Sequence, residues 1–258
     1  MKHASDPHSL WLQSWPTPLT PLVDLICIPG AGAGASRYKP WQSLLPPFCA
    51  LHVVQLPGRE NRIDEPPVDD LALVVKSVLA AVGRIPRRRP MILFGHSMGA
   101  VLAYELARAL AGQNRAPAKL IMSATTPPSG DADRPAPDSD ELKRLLLAFD
   151  ANNQSVVDSP ELFASLEPAL RADFQLLRRH AISHSSDLPD MPTLLLSGTE
   201  DPVVADAAVG LWCDHLAGET TQIALNGGHQ FPFQSSLQAV TDLIAEEINA
   251  LINDHVTS

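Results

Sequence analysis

Pro90-Met91-Ile92-Leu93-Phe94-Gly95-His96-Ser97-Met98-Gly99-Ala100-Val101 is the stretch that decides how the chain is read. Met91 to Phe94 is an apolar run long enough for one buried strand, and Val101 to Leu110 reads as a helix. Between them stands a Gly-x-Ser-x-Gly pentapeptide, Gly95 to Gly99. In the order strand, pentapeptide, helix, the serine occupies a turn so sharp that its backbone is strained and its hydroxyl exposed. Gly95 and Gly99 remove Cβ atoms that would strike the neighbouring strand and helix. Ser97 is therefore the candidate nucleophile.

Upstream, Leu22 to Ile28 is a strand-like run leading into Pro29-Gly30-Ala31-Gly32-Ala33-Gly34-Ala35-Ser36. The glycine spacing is not that of a dinucleotide fingerprint, and the next strand, Leu51 to Leu56, ends in Pro57-Gly58 without the acidic residue such a site needs. A loop of small residues after a strand instead lets backbone N–H groups approach a developing negative charge. Ala31 and Met98, the residue after the serine, are the paired candidate oxyanion donors. Leu10 to Trp15 reads as a short edge strand, Ser36 to Leu45 as a helix capped by Ser36, and Val68 to Ile85 as an amphipathic helix. Residues 1–9 are polar and expected to fray. Arg84 and Arg87 to Arg89 precede the elbow strand and read as a solvated turn, because ligands of open α/β sheets bind beyond the carboxyl ends of strands.

Downstream, Lys119 to Ala124 is a further buried strand, after which the alternation breaks. Pro127 to Asp140 reads as a linker. Asp140 to Phe149 and the segment from Glu161 to His180 read as helices, the latter with Ser159 as N-cap and Pro160 in its first turn. A helical insertion between two strands is the usual form of a lid. The strand Thr193 to Leu196, a helix over Val204 to Leu216, the strand Thr221 to Leu225 and an amphipathic last helix complete an alternating α/β pattern.

A serine hydroxyl needs a histidine to take its proton and an acid to fix that histidine's tautomer. Of the nine histidines, His229 follows a strand, sits behind Gly227-Gly228 and lies downstream of the acid. His96 is inside the elbow and cannot fold back onto its neighbour's hydroxyl, while His180 and His184 belong to the insertion or its edge. Asp201, in the turn Gly198-Thr199-Glu200-Asp201, is the candidate acid, with Glu200 and Asp206 as fallbacks. The order Ser97, Asp201, His229 is that expected for a hydrolase elbow.

The whole chain sets bounds on these readings. At 258 residues it has room for one large domain or two small ones, and a net charge of −10 argues against nucleic acid as a partner. A hydrophobic content of 45% is ordinary for a globular protein. No bilayer-length apolar run and no secretory pattern is present, so a cytoplasmic location without membrane association is expected. Cys27, Cys49 and Cys213 have neither metal-ligand spacing nor a nucleophile context. Neither a metal nor another cofactor is called for, and a monomer is the default.

With these residues in place, the chain resembles the type II thioesterases, the stand-alone editing enzymes of nonribosomal peptide and polyketide assembly lines. The likeness runs from about Leu25 to Phe233. It rests on Pro29 to Ser36, Val54-Gln55-Leu56-Pro57-Gly58-Arg59-Glu60-Asn61-Arg62, the elbow, Leu170-Arg171-Ala172-Asp173-Phe174, Gly198 to Asp201 and Gly227-Gly228-His229-Gln230-Phe231. The first loop departs from the family's His or Tyr before Ala and its following Gly pair, reading Gly30-Ala31-Gly32-Ala33 here. The resemblance implies an α/β-hydrolase fold: a mostly parallel central sheet flanked by helices, with a helical lid inserted before the strand that precedes Asp201. Residues 1–126 and 189–258 would form one core and 127–188 the lid. It further implies hydrolysis of acyl groups from the phosphopantetheine thiol of acyl or peptidyl carrier proteins. Arg59, Arg62, Arg171, Arg178 and Arg179 are candidate contacts for that acidic partner. A carboxylesterase or lipase-like enzyme with the same triad is the first rival reading, and a non-catalytic binding protein on a hydrolase scaffold the second.

Overall fold

Short apolar runs become strands and longer periodic segments become helices, in an alternation that leaves little choice of architecture. The structure, a computed structural model, describes residues 10–131, 133, 135–182 and 190–257. The expectations for residues 1–9 and for His184 fall outside the described residues. Strands β1 (Leu12–Ser14), β2 (Val23–Ile28) and β3 (Cys49–Val54) are followed by helix α1 (Leu71–Val82), β4 (Met91–His96) and α2 (Met98–Ala111). After β5 (Lys119–Ser123) come three helices, α3 (Ser139–Phe149), α4 (Gln154–Val157) and α5 (Pro160–Arg179). The chain closes with β6 (Thr193–Gly198), α6 (Asp206–Val209), β7 (Thr220–Leu225) and α7 (Leu237–Thr257).

The seven strands form one sheet in the order β1-β3-β2-β4-β5-β6-β7, with β1 antiparallel to β3 and every other pair parallel. Every residue of β2, β4 and β6 is buried, as expected of parallel strands covered on both faces. The period of two then sorts their side chains. Ile26, Ile28, Leu93 and Met122 pack with α1 and α2, whereas Leu25, Cys27, Ile92, Phe94 and Ile121 pack with Tyr38, Trp41 and α7. Because β2 lies between β3 and β4, the chain leaves β2 toward one side and β4 toward the other. Their carboxyl ends, aligned by the pairing Ile28–Gly95, flank the crevice where this architecture places its ligands.

Two helices differ from expectation. Residues 35–43 form a 3₁₀-helix rather than an α-helix, since Pro40 cannot donate an α-helical bond and the Ser36 hydroxyl turns to Glu60 instead of capping. The helix expected over 204–216 is the short α6 followed by a 3₁₀ stretch, Gly210–His215, with Gly210 at the break. Other ends follow their chemistry. Asp70, Asp138 and Ser159 accept from Leu73, Glu141 and Leu162 N–H and cap α1, α3 and α5, each cap contributing about 1 kcal/mol. Helices α3–α5 leave and rejoin the core at one place, where Ser129 and Ala181 form an isolated antiparallel bridge. Among the described residues, no helix is long and apolar enough to cross a membrane.

Candidate active site

The elbow is as tight as its glycines require. A Cβ on Gly95 would lie 2.3 Å from the Gly99 carbonyl oxygen, and one on Gly99 would lie 2.1 Å from that of Ile28. Between them Ser97 adopts φ 54° and ψ −122°, a conformation that costs an L-residue about 1–3 kcal/mol. Its own N–H donates to the Ser123 carbonyl at 2.8 Å. Helix α2 begins directly after Ser97 with Met98, the donor expected from the sequence, while the Ala100 N–H is taken by the Ser97 carbonyl at 3.0 Å. The positive end of the α2 dipole lies there too.

The loops after β6 and β7 bring two further side chains to Ser97. His229 Nε2 stands 3.1 Å from Ser97 Oγ, and His229 Nδ1 stands 2.8 Å from Asp201 Oδ2. The other Asp201 oxygen accepts the N–H groups of Val203 and Val204 at 2.8 and 3.0 Å. Burial by itself raises the Asp201 carboxyl pKa, but the bond and charge of His229 and these two N–H donors outweigh it and hold the group below the usual carboxylate range. The fallback acids point elsewhere: Glu200 is exposed, and Asp206 accepts from Ser197 Oγ and from Gln222 Nε2. Glu200 N–H to the Gly227 carbonyl, 2.9 Å, ties the acid loop to the histidine loop.

His96 lies beneath this array with its ring 5.2 Å from that of His229 and Nδ1 3.1 Å from Ser123 Oγ. Burial, then the charges of His229 and Arg37, push its pKa well down and keep it neutral. From the insertion, Phe149 at the end of α3 stacks on His229 with centroids 4.8 Å apart. The cavity at Ser97 and His229 measures 20 Å³ and is closed by Phe149, Tyr38 and Phe233. A second cavity of 130 Å³ adjoins it under α3 and α5, lined by Leu146 and Leu166. A much larger groove of 800 Å³ runs between α1, α2 and the end of α5. It contains none of Ser97, Asp201 and His229, so size does not mark the chemistry here. His180 lies in that groove, bonded to Glu105.

The five arginines named from the sequence part company. Arg59 is 4% exposed and donates both terminal nitrogens to the buried Asp173 carboxylate of α5, at 2.7 and 2.9 Å. Arg62 is likewise buried, bonded to the Gln55 carbonyl and to Glu65. Neither can meet a partner's surface, which corrects the expectation for both. Arg171 bonds Glu167 and the Pro137 carbonyl, Arg178 bonds Glu141, and Arg179 bonds Asp69 while keeping half its side chain exposed. Asp173 and Phe149 were given no role from the sequence. Asp173 carried a signal: an acid spaced with Leu166, Leu170 and Leu177 falls on the apolar stripe of its helix and needs a buried partner.

A second set of the same residue types sits at the antiparallel edge of the sheet. Ser14 Oγ is 2.6 Å from His52 Nδ1, and His52 Nε2 is 2.9 Å from Asp24 Oδ1. Arg89 also holds Asp24, with two bonds of 2.8 Å, so this arginine is committed rather than solvated as the sequence suggested. The buried thiols of Cys27 and Cys49 are pushed up, the latter to about 12, and are inert at neutral pH.

A sharp elbow at the carboxyl end of a parallel sheet, with Ser97, His229 and Asp201 in hydrogen-bond sequence, defines the α/β-hydrolase class. Within that class, the thioesterase domain model matches residues 23–251, and the chain belongs to the thioesterase family. It is 31% identical over 95% of its length, and 68% of the relative's, to a probable cadicidin biosynthesis thioesterase of Streptomyces griseus. The medium-chain S-acyl fatty acid synthase thioesterase of Homo sapiens is 30% identical, over 80% of this chain and 79% of that protein. Among solved structures, the type II thioesterase BorB from the borrelidin biosynthetic cluster superposes with a TM-score of 0.80 at 30% identity. That match covers 92% of this chain and 97% of BorB.

Proposed function

We propose that this chain is an editing thioesterase that hydrolyses acyl groups from the phosphopantetheine thiol of carrier proteins in a nonribosomal peptide or polyketide assembly line. The observation that carries the proposal is the Ser97–His229–Asp201 chain of hydrogen bonds, at 3.1 and 2.8 Å, in a member of the thioesterase family. The relative named for cadicidin biosynthesis and the likeness to BorB, from the borrelidin biosynthetic cluster, support the assembly-line setting.

In this reading His229 Nε2 takes the Ser97 proton as Oγ attacks the thioester carbonyl, and the oxyanion is held by the N–H groups of Met98 and Ala31. The ionised Asp201 fixes the Nδ1–H tautomer and stabilises the imidazolium. The carbon–sulfur bond then breaks, with the His229 proton leaving on the thiol. Water deprotonated by His229 attacks the acyl-Ser97 ester, and the acid departs as the Ser97 proton is restored. A 20 Å³ cavity holds little more than one water, so an acyl group enters only when Phe149 and α3 move aside.

The test is kcat/KM on an acylated carrier protein against the matching oxygen ester. A preference for the carrier thioester supports the proposal, and a clear preference for the ester overturns it. Mass spectrometry of a panel of acylated carriers then reads the acyl selectivity.

A further inference from the structure

The buried Arg59–Asp173 pair does more than hold a helix down. Asp173 Oδ2, which accepts Arg59 at 2.7 Å, also accepts the backbone N–H of Gly32 at 2.7 Å. Gly32 is the residue after Ala31, so the carboxylate grips the peptide that follows the candidate oxyanion donor. The rest of the loop is pinned from the same side. Ala33 N–H closes a turn on the Gly30 carbonyl at 3.1 Å, and Ala35 N–H donates to Gln55 Oε1 at 2.8 Å. Gln55 Nε2 in turn donates to the Arg59 carbonyl at 3.1 Å. At Gly32, φ is +73° and a Cβ would meet Leu170 of α5 at 3.0 Å, so helix and loop are fitted to each other there. On the other side Gly30 approaches Ser97 itself, a Cβ there lying 3.3 Å from that of Ser97.

We infer that Arg59 and Asp173 are positioning residues for the Ala31 N–H, and that the oxyanion hole is complete only while α5 is seated on the core. The inference rests on the proposed acyl chemistry for its meaning, but its geometry needs only that Ser97 attack a carbonyl. Arg59 neutralises and orients the carboxylate, the carboxylate fixes the Ala31–Gly32 peptide, and the fixed peptide aims the preceding N–H. Since Asp173 belongs to the insertion, lifting α5 removes an oxyanion donor together with the cover, and Ser97 is least competent when the site is open to water.

The test compares wild type with D173A, D173N and R59Q/D173N in the full chain, on an acyl-pantetheine thioester and a p-nitrophenyl ester. D173A is expected to lose about 10²–10³ in kcat, the loss typical of one oxyanion donor, while KM stays within about threefold. The Ki of an alkyl trifluoromethyl ketone, whose adduct with Ser97 carries an oxyanion, should rise by the same factor. Alkylation of S97C by iodoacetamide needs His229 but no oxyanion donor, and should proceed at the same rate in S97C/D173A. D173N keeps an acceptor for Gly32 and should lose about tenfold, with the double variant no worse, because the two residues act as a unit. D173N carries the test if D173A does not fold. Variants that keep kcat and Ki within about threefold of wild type, or a fall in S97C alkylation in step with kcat, would overturn the inference. A wild type that cleaves the ester and not the thioester would defeat the proposed function alone, since the ester still reads the effect of Asp173.

Discussion

Among the described residues two Ser–His–Asp chains are hydrogen-bonded, and their difference separates a bonding pattern from the arrangement proposed here for catalysis. Ser97, His229 and Asp201 stand at the carboxyl ends of parallel strands, on three loops. Ser14, His52 and Asp24 stand within β1, β3 and β2, where Ser14 and His52 are directly opposed in the antiparallel ladder. Distances do not distinguish them: 3.1 and 2.8 Å in the first, 2.6 and 2.9 Å in the second. What differs is everything around the bonds. Ser97 is strained at the N-terminus of α2, while Ser14 sits in a regular edge strand with no helix following. The histidine is also reversed, offering Nε2 to Ser97 but Nδ1 to Ser14. Arg89 holds the carboxylate of Asp24, whereas backbone N–H groups hold that of Asp201. The edge cluster is a structural staple that neutralises a buried aspartate.

The largest expected effect puts this contrast to its hardest test. S97A should abolish labelling by a fluorophosphonate and lower kcat by about 10⁶, while S14A leaves both within about twofold. Residual labelling in S97A that S14A then removes would break the comparison. Next come the acids. D201N should lose about 10⁴ in kcat through the wrong histidine tautomer, with little change in unfolding midpoint. D24N should do the opposite, destabilising by about 3–5 kcal/mol in denaturant while the folded fraction keeps its turnover.

The pH dependence sharpens the same division. Burial alone raises the Asp24 pKa, but the bonds and charges of His52 and Arg89 leave it below the ordinary value. A depressed folded pKa gives stability that is fully present above the unfolded value of about 3.9 and drains away as pH falls through the folded one. Urea unfolding of wild type from pH 6 downward should therefore hold its Asp24 contribution until about pH 4 and lose midpoint below it, with a shallower decline in D24N. The smallest effect concerns the cover. F149A removes the ring on His229 and enlarges the cavity, and should raise kcat/KM for a longer acyl chain relative to acetyl by about tenfold, measured on matched thioesters.

Much of this was legible because it is local. The elbow with its flanking strand and helix, the turn that carries Asp201 and the loop that carries His229 are each written within a few consecutive residues. Arg59 was misread for the opposite reason. An arginine after a strand and a Pro-Gly turn looks solvent-facing, and the carboxylate that buries it lies 114 residues away on α5. The second Ser–His–Asp chain was equally hidden, since strand pairing rather than sequence spacing brings Ser14 to His52. For residues 35–43 Pro40 was in view, but the Glu60 carboxylate that draws off the Ser36 hydroxyl lies 24 residues away, which no helical periodicity reports.

The bridge between Ser129 and Ala181 brings together the two ends of the segment that carries α3–α5. Helices α3–α5 all lie between those two residues, so the bridge closes them into a single loop. The entropic cost of closing a loop grows by only about 0.6 kcal/mol for each doubling of its length. A cover of different size can thus be carried on the same hinge without disturbing strand register or the spacing of Ser97, Asp201 and His229. Asp173, bonded to both Arg59 and Gly32, ties that loop of helices to the loop after β2.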